Sequence, residues 1–126
     1  MPSIEELRAM SIEELTIEAD FVSEELPISK VIGKMKDLDV YEIFVQCGER
    51  IGIINVRSIL EATHIASTKA GSVALFPPRV TASDSVGKVS EFMGDHRLRS
   101  IPVWKGRRVV GQINALTIVN SLVDYL

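Results

Sequence analysis

Two short stretches of the sequence carry residue types and spacings that could hold a small polar ligand. They read Gly52-Ile-Ile-Asn-Val-Arg-Ser58 and Gly111-Gln-Ile-Asn-Ala-Leu-Thr117, so each has a glycine, then an asparagine, then a hydroxyl, three residues apart. The asparagine is suited to cap a helix, and the free N–H groups of a helix start favour a phosphate or ribose oxygen. The glycine permits a close approach to the backbone or a bend in the strand. Asn55 and Asn114 are therefore interpreted either as helix caps alone or as caps beside a ligand site.

The other reactive side chains do not form a catalytic constellation. His64 and His96 lie far apart in the sequence, without a nucleophile or paired acid at a diagnostic spacing. Cys47 is the only cysteine, which excludes an internal disulfide and a cysteine-rich zinc site. The sequence has no glycine-rich phosphate loop of the P-loop or Rossmann type. We therefore predict a protein that is not an enzyme and that requires no metal or cofactor.

The two asparagine motifs belong to a longer internal repeat. When the chain is shifted by 58 residues, positions 21–48 align with 79–106, and eight of these 28 pairs are identical. Beyond this stretch the offset becomes 59, and four more pairs coincide, the two asparagines among them. Because turns tolerate insertions, the extra residue is predicted to lie in the basic turn at Arg107–Arg108. Two such units can bury each other's apolar faces.

Both copies predict the same order of elements, βαββα. A short strand precedes an amphipathic helix, in which Met35 and Met93 take equivalent apolar positions. Ser83 or Asp84 is predicted to cap the second of these helices. Two apolar strands around a glycine-containing turn then predict a hairpin, and a last helix closes each copy. The predicted bounds are Phe21–Ser23, Ile28–Leu38, Val40–Val45, Ile51–Asn55 and Val56–Ala62 in the first copy, and Arg79–Ala82, Val86–Met93, Leu98–Trp104, Val109–Asn114 and Ala115–Leu126 in the second.

The residues before the first copy predict a short helical segment. Ser3-Ile-Glu-Glu-Leu7 and Ser11-Ile-Glu-Glu-Leu15 each place a glutamate three residues after a serine, which is a signature of a helix start. This acidic segment is interpreted either as a partner-binding arm or as a solvated helix packed on the body, which is the commoner role of a charged run. The fold class is α+β with α/β-like layers, in one module: helical segment 1–20, first repeat 21–63 and second repeat 73–126.

Composition and charge exclude several other classes of protein. Of the 126 residues, 46% are hydrophobic and 25% are charged, which is typical of a globular protein with a packed core. No apolar run approaches the ~20 residues that cross a bilayer, and the start lacks the features of a secretory signal. Residues 1–25 carry eight acids and one base (−7), and the rest carry nine acids and thirteen bases (+4), which is too weakly basic for duplex nucleic acid. We expect a soluble cytoplasmic protein without a membrane or nucleic-acid partner.

Motifs in both copies occur in the order seen in a known family. In the second copy they are Val80-Thr-Ala-Ser-Asp-Ser-Val86, Arg99-Ser-Ile-Pro-Val-Trp104 and Val109-Val-Gly-Gln-Ile-Asn-Ala-Leu-Thr117. In the first copy they are Val22-Ser23, Ile43-Phe-Val45 and Ile51-Gly-Ile-Ile-Asn-Val-Arg-Ser-Ile-Leu60. With this order repeated, about residues 16–126 resemble a tandem pair of cystathionine beta-synthase (CBS) domains.

The resemblance implies a regulatory module. In proteins of this family the two copies pack around a pseudo-twofold axis, and two clefts between them often hold AMP, ADP, ATP or S-adenosylmethionine. Such modules commonly form homodimers, and any output of this chain would pass through a dimer or an effector protein. The positions that the resemblance implies for adenosine binding are Val22, Ser23, Ile43, Asn55, Arg57, Ser58, Val80, Thr81, Arg99, Ser100, Ile101, Pro102, Asn114 and Thr117.

The sequence departs from the family pattern where the ribose is expected. Family members usually have an acidic residue on the first turn of the last helix, and here that position holds Ser58 and Thr117. A carboxylate accepts stronger, charge-assisted hydrogen bonds than a neutral hydroxyl, and its loss could cost ~1–3 kcal/mol. Asn55 and Asn114 replace the usual Thr or Ser, and their amides can both donate and accept. The identity and affinity of the ligand are therefore open.

The two clefts are expected to differ in charge. The phosphate-facing positions hold Arg99 and Ser100 in the second copy but Tyr41 and Glu42 in the first. Because a guanidinium binds phosphate through charge-assisted hydrogen bonds, we predict nucleotide binding chiefly in the second cleft, with Arg57 as a phosphate contact in the other. Two functions are kept: an adenosine-sensing module, or a dimerisation scaffold that binds no ligand.

Overall fold

The computed structural model describes residues 3–123. In chain order the elements are α1 (Ile4–Ala9), a 3₁₀ helix (Ile12–Leu15), β1 (Phe21–Ser23), α2 (Ile28–Leu38), β2 (Glu42–Cys47), β3 (Arg50–Asn55), α3 (Val56–Leu60), α4 (Ala70–Val73), β4 (Val80–Thr81), α5 (Val86–Asp95), β5 (Ser100–Lys105), β6 (Arg108–Asn114) and α6 (Ala115–Leu122). The α+β class with two repeats is confirmed. The predicted end of the last helix, residues 124–126, lies outside the described residues.

The chain divides into two compact units. The first unit comprises residues 20–77, and the second joins residues 78–126 to the amino-terminal residues 1–19. Each unit has a three-stranded sheet in which a short first strand pairs parallel with the next, and that strand forms an antiparallel hairpin with the third. The two predicted hairpins are therefore confirmed. Their turns contain Gly48 and Gly106, both with a positive φ (62° and 64°) that a glycine adopts without a steric penalty.

The first unit has an apolar core between α2 and its sheet. Met35 is 6% exposed in this core, so its predicted packing role is confirmed. The other buried members of the cluster are Val22, Ile28, Val31, Ile43, Val45, Ile54 and Ala70. Met93 is likewise buried in the second unit, on the apolar face of α5. The helical spacing of apolar residues thus identified the buried faces of both helices.

The cap of α5 differs from the predicted one. Ser85 precedes the helix and its hydroxyl accepts a hydrogen bond from the Lys88 amide at 3.2 Å, so the prediction of Ser83 or Asp84 is wrong. Asp84 instead accepts from the Thr81 amide at 2.8 Å, which ties its side chain to the turn before the helix. The helix consequently begins one residue later than an Asp84 cap would require.

The extra residue of the second copy lies in a strand. Trp104 pairs with Val109, but the neighbouring Val103 pairs with Gly111, so Val110 has no opposing residue. The prediction that the insertion lies in the hairpin turn is therefore wrong. The first hairpin shows no such shift, and a β-bulge accommodates one residue without changing the turn.

Each unit is completed by a segment that leads into the other copy of the repeat. Residues 10–19, the first strap, precede β1 but belong to the second unit, whereas residues 68–77, the second strap, precede β4 but belong to the first. The units therefore exchange the segments that come before their first strands. The boundaries 1–20, 21–63 and 73–126 stay predictions of the repeat pattern.

Main-chain hydrogen bonds hold the first strap in the second unit. The Ile12 amide donates to the Asp84 carbonyl at 2.9 Å, and the Val86 amide donates to the Met10 carbonyl at 2.8 Å. Ile12 is wholly buried. The preceding helix α1 packs against α5, where Arg8 lies close to Gly87. These contacts support the interpretation of the acidic segment as a helix packed on the body.

The second strap repeats this arrangement in the first unit. The Ala70 amide donates to the Leu26 carbonyl at 2.8 Å, and the Ile28 amide donates to the Thr68 carbonyl at 2.9 Å. These are the bonds of the first strap shifted by 58 residues along the chain. The structural repeat therefore includes both straps, although the sequence has no identical pairs there.

Candidate functional site

The end of β6 and the start of α6 form a closed helix cap. Asn114 Oδ1 accepts a hydrogen bond from the Thr117 amide at 2.8 Å, and Thr117 Oγ1 accepts from the Asn114 amide at 3.2 Å. This reciprocal pair is a capping box, in which each side chain satisfies an N–H group that the helix itself cannot. The predicted capping role of Asn114 is confirmed.

The equivalent junction of the first unit is capped in the same way. Asn55 Oδ1 accepts from the Ser58 amide at 3.0 Å, and Ser58 Oγ accepts from the Asn55 amide at 3.4 Å. The Ser58 hydroxyl also lies 3.2 Å from Asn55 Oδ1 and is wholly buried. Ser58, which the resemblance places at the ribose, is thus engaged inside the cap.

Two further predicted residues lie beside the cap in the second unit. Ser100 pairs with Asn114 across the hairpin, and the Arg99 carbonyl accepts from the Ala115 amide at 2.8 Å. Ser100 is 8% exposed, whereas Arg99 lies at the surface. The structure therefore brings Arg99, Ser100, Asn114 and Thr117 to one end of the β5–β6 hairpin.

The corresponding end of the first unit has a different charge. Glu42 pairs with Asn55 across the hairpin and is 9% exposed, and the preceding Tyr41 is 67% exposed. The nearby cation of this unit, Arg57, lies at the surface on the first turn of α3. A carboxylate thus replaces the hydroxyl of the second unit, which matches the predicted difference in charge.

The remaining predicted residues lie on the first two strands of each sheet. Val22 and Val80 are each 4% exposed, and Ile43 and Ile101 are also buried. Ser23 and Thr81 are exposed and Pro102 is buried. Most of these side chains therefore pack in a unit's interior, and a ligand would reach the first strands chiefly through their backbone.

The glycine of each motif permits a close approach by another part of the same chain. A Cβ atom at Gly52 would lie 2.7 Å from Ala74 Cβ, and one at Gly111 would overlap the Ile17 carbonyl and lie 2.7 Å from Thr16 Cγ2. Since real Cβ contacts essentially never fall below 3.0 Å, only glycine fits both positions. The predicted close approach is confirmed, and the approaching segments are the two straps.

Two contacts between arginines and aromatic rings were not predicted from the sequence. The Arg50 guanidinium lies 3.6 Å from the centre of the Phe76 ring, and that of Arg79 lies 3.8 Å from the Trp104 ring. Trp104 is only 5% exposed, so its exposed edge offers little room to stack a base. In both pairs the partners are far apart along the chain, and no local pattern in the sequence indicates them.

The described residues give no sign of a redox or metal centre. Burial raises the pKa of the Cys47 thiol, and the neighbouring Glu24 raises it further, which keeps the thiol protonated and supports an inert role. His96 Nδ1 lies 3.0 Å from the Phe92 carbonyl at the end of α5. From residue 3 to residue 123, no group of three or more His, Cys, Asp or Glu side chains could hold a metal ion. Over the same stretch, every helix is too short or too polar to cross a membrane.

Comparison with protein families identifies the second unit. Residues 75–124 match the family model described as the CBS domain, and no curated protein matches the chain. The match covers β4 to α6, including the Asn114 cap and Arg99. This part of the chain is a CBS domain, which confirms the resemblance drawn from the sequence. CBS domains are generally regulatory, ligand-binding modules that often form oligomers.

Solved structures extend the likeness in fold to the whole chain. A CBS domain-containing protein from Thermotoga maritima aligns with a TM-score of 0.78 at 18% identity, over 92% of this chain and 96% of its own. Hypoxic Response Protein I with two coordinated zinc ions aligns at 0.76 and 19% identity, over 88% of this chain and 98% of its own. A hexameric CBS-CP12 protein from bloom-forming cyanobacteria aligns with a TM-score of 0.76 at 16% identity, over 91% of this chain and 73% of its own. At these identities the likeness concerns the fold, which is that of tandem CBS domains.

Proposed function

We propose that this protein is a regulatory module that binds an adenosine-containing small molecule, namely AMP, ADP, ATP or S-adenosylmethionine. The observation that carries the proposal is the position of Arg99 and Ser100 beside the Asn114 cap, in the unit that matches the CBS domain. The module passes the binding event on through a dimer or an effector protein and catalyses no reaction. Its cytoplasmic location stays a prediction from the sequence.

The chemistry at this end of the second unit suits a ligand with phosphate oxygens. Because Asn114 Oδ1 is engaged by the Thr117 amide, the side chain has its Nδ2 hydrogens to donate to a ligand oxygen. Arg99 lies at the surface immediately before the buried strand β5 and supplies a permanent positive charge. Phosphate contacts therefore provide more of the binding free energy than ribose contacts in this module.

Calorimetric titration with the four candidate compounds tests the proposal. Arg99→Ala is expected to weaken binding of the phosphate-bearing ligand about 10- to 100-fold, because it removes a charge-assisted hydrogen bond worth ~1.5–3 kcal/mol. Arg107→Ala is the matched control, because it removes another exposed arginine of the same unit, in the turn at the opposite end of the β5–β6 hairpin, and it should change the affinity little. No heat and no thermal shift with any of the four compounds at millimolar concentration would overturn the proposal, as would equal losses in the two variants.

A second candidate is a dimerisation scaffold that binds no ligand, and the surface of α6 favours it. Three large apolar side chains on or just after α6 are exposed, namely Leu116 (64%), Val119 (54%) and Val123 (61%). The helix itself, Ala115–Leu122, has neither a charged nor a buried residue. Two copies of such a helix meet without electrostatic repulsion and bury apolar surface. We propose a homodimer through this face.

Light scattering after size-exclusion chromatography tests the dimer. Leu116→Glu places a charge on the apolar face and is expected to give a monomer, whereas Ser90→Glu, at an exposed position of α5, is the control for added charge on another helix. A Leu116→Glu variant that stays dimeric, or a wild-type protein that is monomeric at all concentrations, would rule out this interface. If ligand binding is absent while the dimer persists, the scaffold function replaces the sensing function.

A further inference from the structure

The first strap ends in a strong attachment to the second unit immediately before it enters the first. Ile17 and Gln112 exchange two main-chain hydrogen bonds of 2.8 Å, and Gln112 Nε2 donates to the Glu18 carbonyl at 3.0 Å. Phe21, paired with Phe44 in the first unit, follows after Ala19 and Asp20. Two residues thus separate a bonded residue of one unit from the first strand of the other.

The second strap makes the reciprocal connection through a stiffer path. Ile53 and Leu75 exchange main-chain hydrogen bonds of 2.7 and 2.9 Å, and Phe76 lies under the Arg50 guanidinium. Pro77–Pro78 follows at the positions equivalent to Ala19 and Asp20 and leads to β4. Each proline fixes its own φ near −65° and restricts the residue before it, so this path bends little.

We propose that the two straps couple the two units energetically, with the second strap and its two prolines as the stronger coupling element. The Ile53–Leu75 pair lies two residues before the Asn55 cap, and the Gln112–Ile17 pair lies two residues before the Asn114 cap. A change at either cap therefore acts on a strap that continues as the first strand of the other unit. Such coupling is reciprocal, so each unit affects the other by the same free energy. It goes beyond the proposed function and does not depend on which ligand is bound.

Hydrogen exchange of the full chain without ligand tests the coupling. Gly52→Ala puts a methyl group 2.7 Å from Ala74 Cβ and 3.1 Å from the Phe76 ring, so it displaces the second strap. We expect exchange of the Ala82 amide, which donates to the Trp104 carbonyl at 2.8 Å in the second unit, to become about threefold faster or more. Gly33→Ala is the matched control, because a Cβ there meets no atom within 4 Å.

Two further measurements separate coupling from a general loss of stability. Wild-type protein in enough urea to match the stability of Gly52→Ala should not show the selective change at Ala82. Adding Pro77→Gly and Pro78→Gly to Gly52→Ala should confine the faster exchange to residues 20–77. If Gly52→Ala does not fold, Phe76→Ala replaces it, because this side chain is 37% exposed and its loss frees the strap from Arg50.

Two results would overturn the proposal. The first is faster exchange that is confined to residues 20–77 in both Gly52→Ala and Phe76→Ala. The second is faster exchange of the Ala82 amide that persists after Pro77→Gly and Pro78→Gly are added. Because no ligand is used, these results do not bear on nucleotide binding. Failure of the coupling and failure of the proposed function are therefore distinguishable.

Discussion

Replacing Gly111 with alanine is expected to release the end of the first strap from β6. The new Cβ would overlap the Ile17 carbonyl oxygen and lie 2.7 Å from Thr16 Cγ2, so the strap must move away. This movement breaks the two Ile17–Gln112 hydrogen bonds and the bond from Gln112 Nε2 to the Glu18 carbonyl. Each of the three hydrogen bonds contributes a net ~0.5–1.5 kcal/mol, and water replaces part of what is lost. We therefore expect the free energy of unfolding to fall by about 2–3 kcal/mol.

Urea denaturation followed by circular dichroism measures this loss. Gly94→Ala is the control, because it makes the same substitution in α5 of the same unit, where a Cβ meets no atom within 4 Å. Alanine is the better helix former, so this control should be as stable as the wild type or up to ~1 kcal/mol more stable. A Gly111→Ala protein with wild-type stability would refute the inference that the strap requires a glycine there.

Three other substitutions test the caps, the charges and the core. Asn55→Ala removes a helix cap and should lower the free energy of unfolding by about 1 kcal/mol, which thermal denaturation measures. An unchanged melting temperature would contradict the capping box. Partial burial opposes ionisation of Asp84, but hydrogen bonds from the Thr81 amide and Lys88 outweigh it and hold the pKa of Asp84 below its ordinary 3.8. The ionised Asp84 carboxylate therefore stabilises the fold above about pH 4, and this contribution is lost as the pH falls through the lowered pKa. The free energies of unfolding of the wild type and Asp84→Asn should consequently converge in acid. A difference between them that stays constant from about pH 6 to about pH 2 would argue against a stabilising Asp84 carboxylate. Val89→Ala opens a cavity at a wholly buried position and should cost about 2–3 kcal/mol in urea denaturation, with a loss under 1 kcal/mol counting against tight packing of α5.

Much of each unit could be predicted because local patterns determine it. Apolar residues at helical spacing identified α2 and α5, and short apolar runs around Gly48 and Gly106 identified the hairpins. The asparagine caps were also visible, since capping uses residues three positions apart in the sequence. The α5 cap was misplaced by one or two residues because Ser83, Asp84 and Ser85 are all good capping residues, and only the turn contact of Asp84 decides among them.

The straps and the bulge could not be predicted, for a different reason. The straps attach mainly through main-chain hydrogen bonds, which any residue except proline can donate, so equivalent positions need not be alike. Their one trace in the sequence is the glycine at positions 52 and 111, and a glycine alone does not say what approaches it. The bulge at Val110 depends on the pairing of two strands, whereas the alignment of repeats shows only that one residue has been added. The resemblance to CBS domains placed Arg99 and Ser100 near Asn114, and they do lie at the same end of one hairpin, but their role in binding stays a prediction.

The separation between the first strap and its attachment site has a consequence for how the protein folds during synthesis. Glu18 bonds to Gln112, 94 residues further along the chain, whereas in the first unit Glu25 pairs with Lys69 over 44 residues. The ribosome therefore releases residues 10–19 long before β6 exists to receive them, and contacts so distant in sequence form slowly. Residues 10–19 are therefore made before both sheets but reach their native place only after β6 has formed, and until then the edge of β6 is open to strands of other nascent chains.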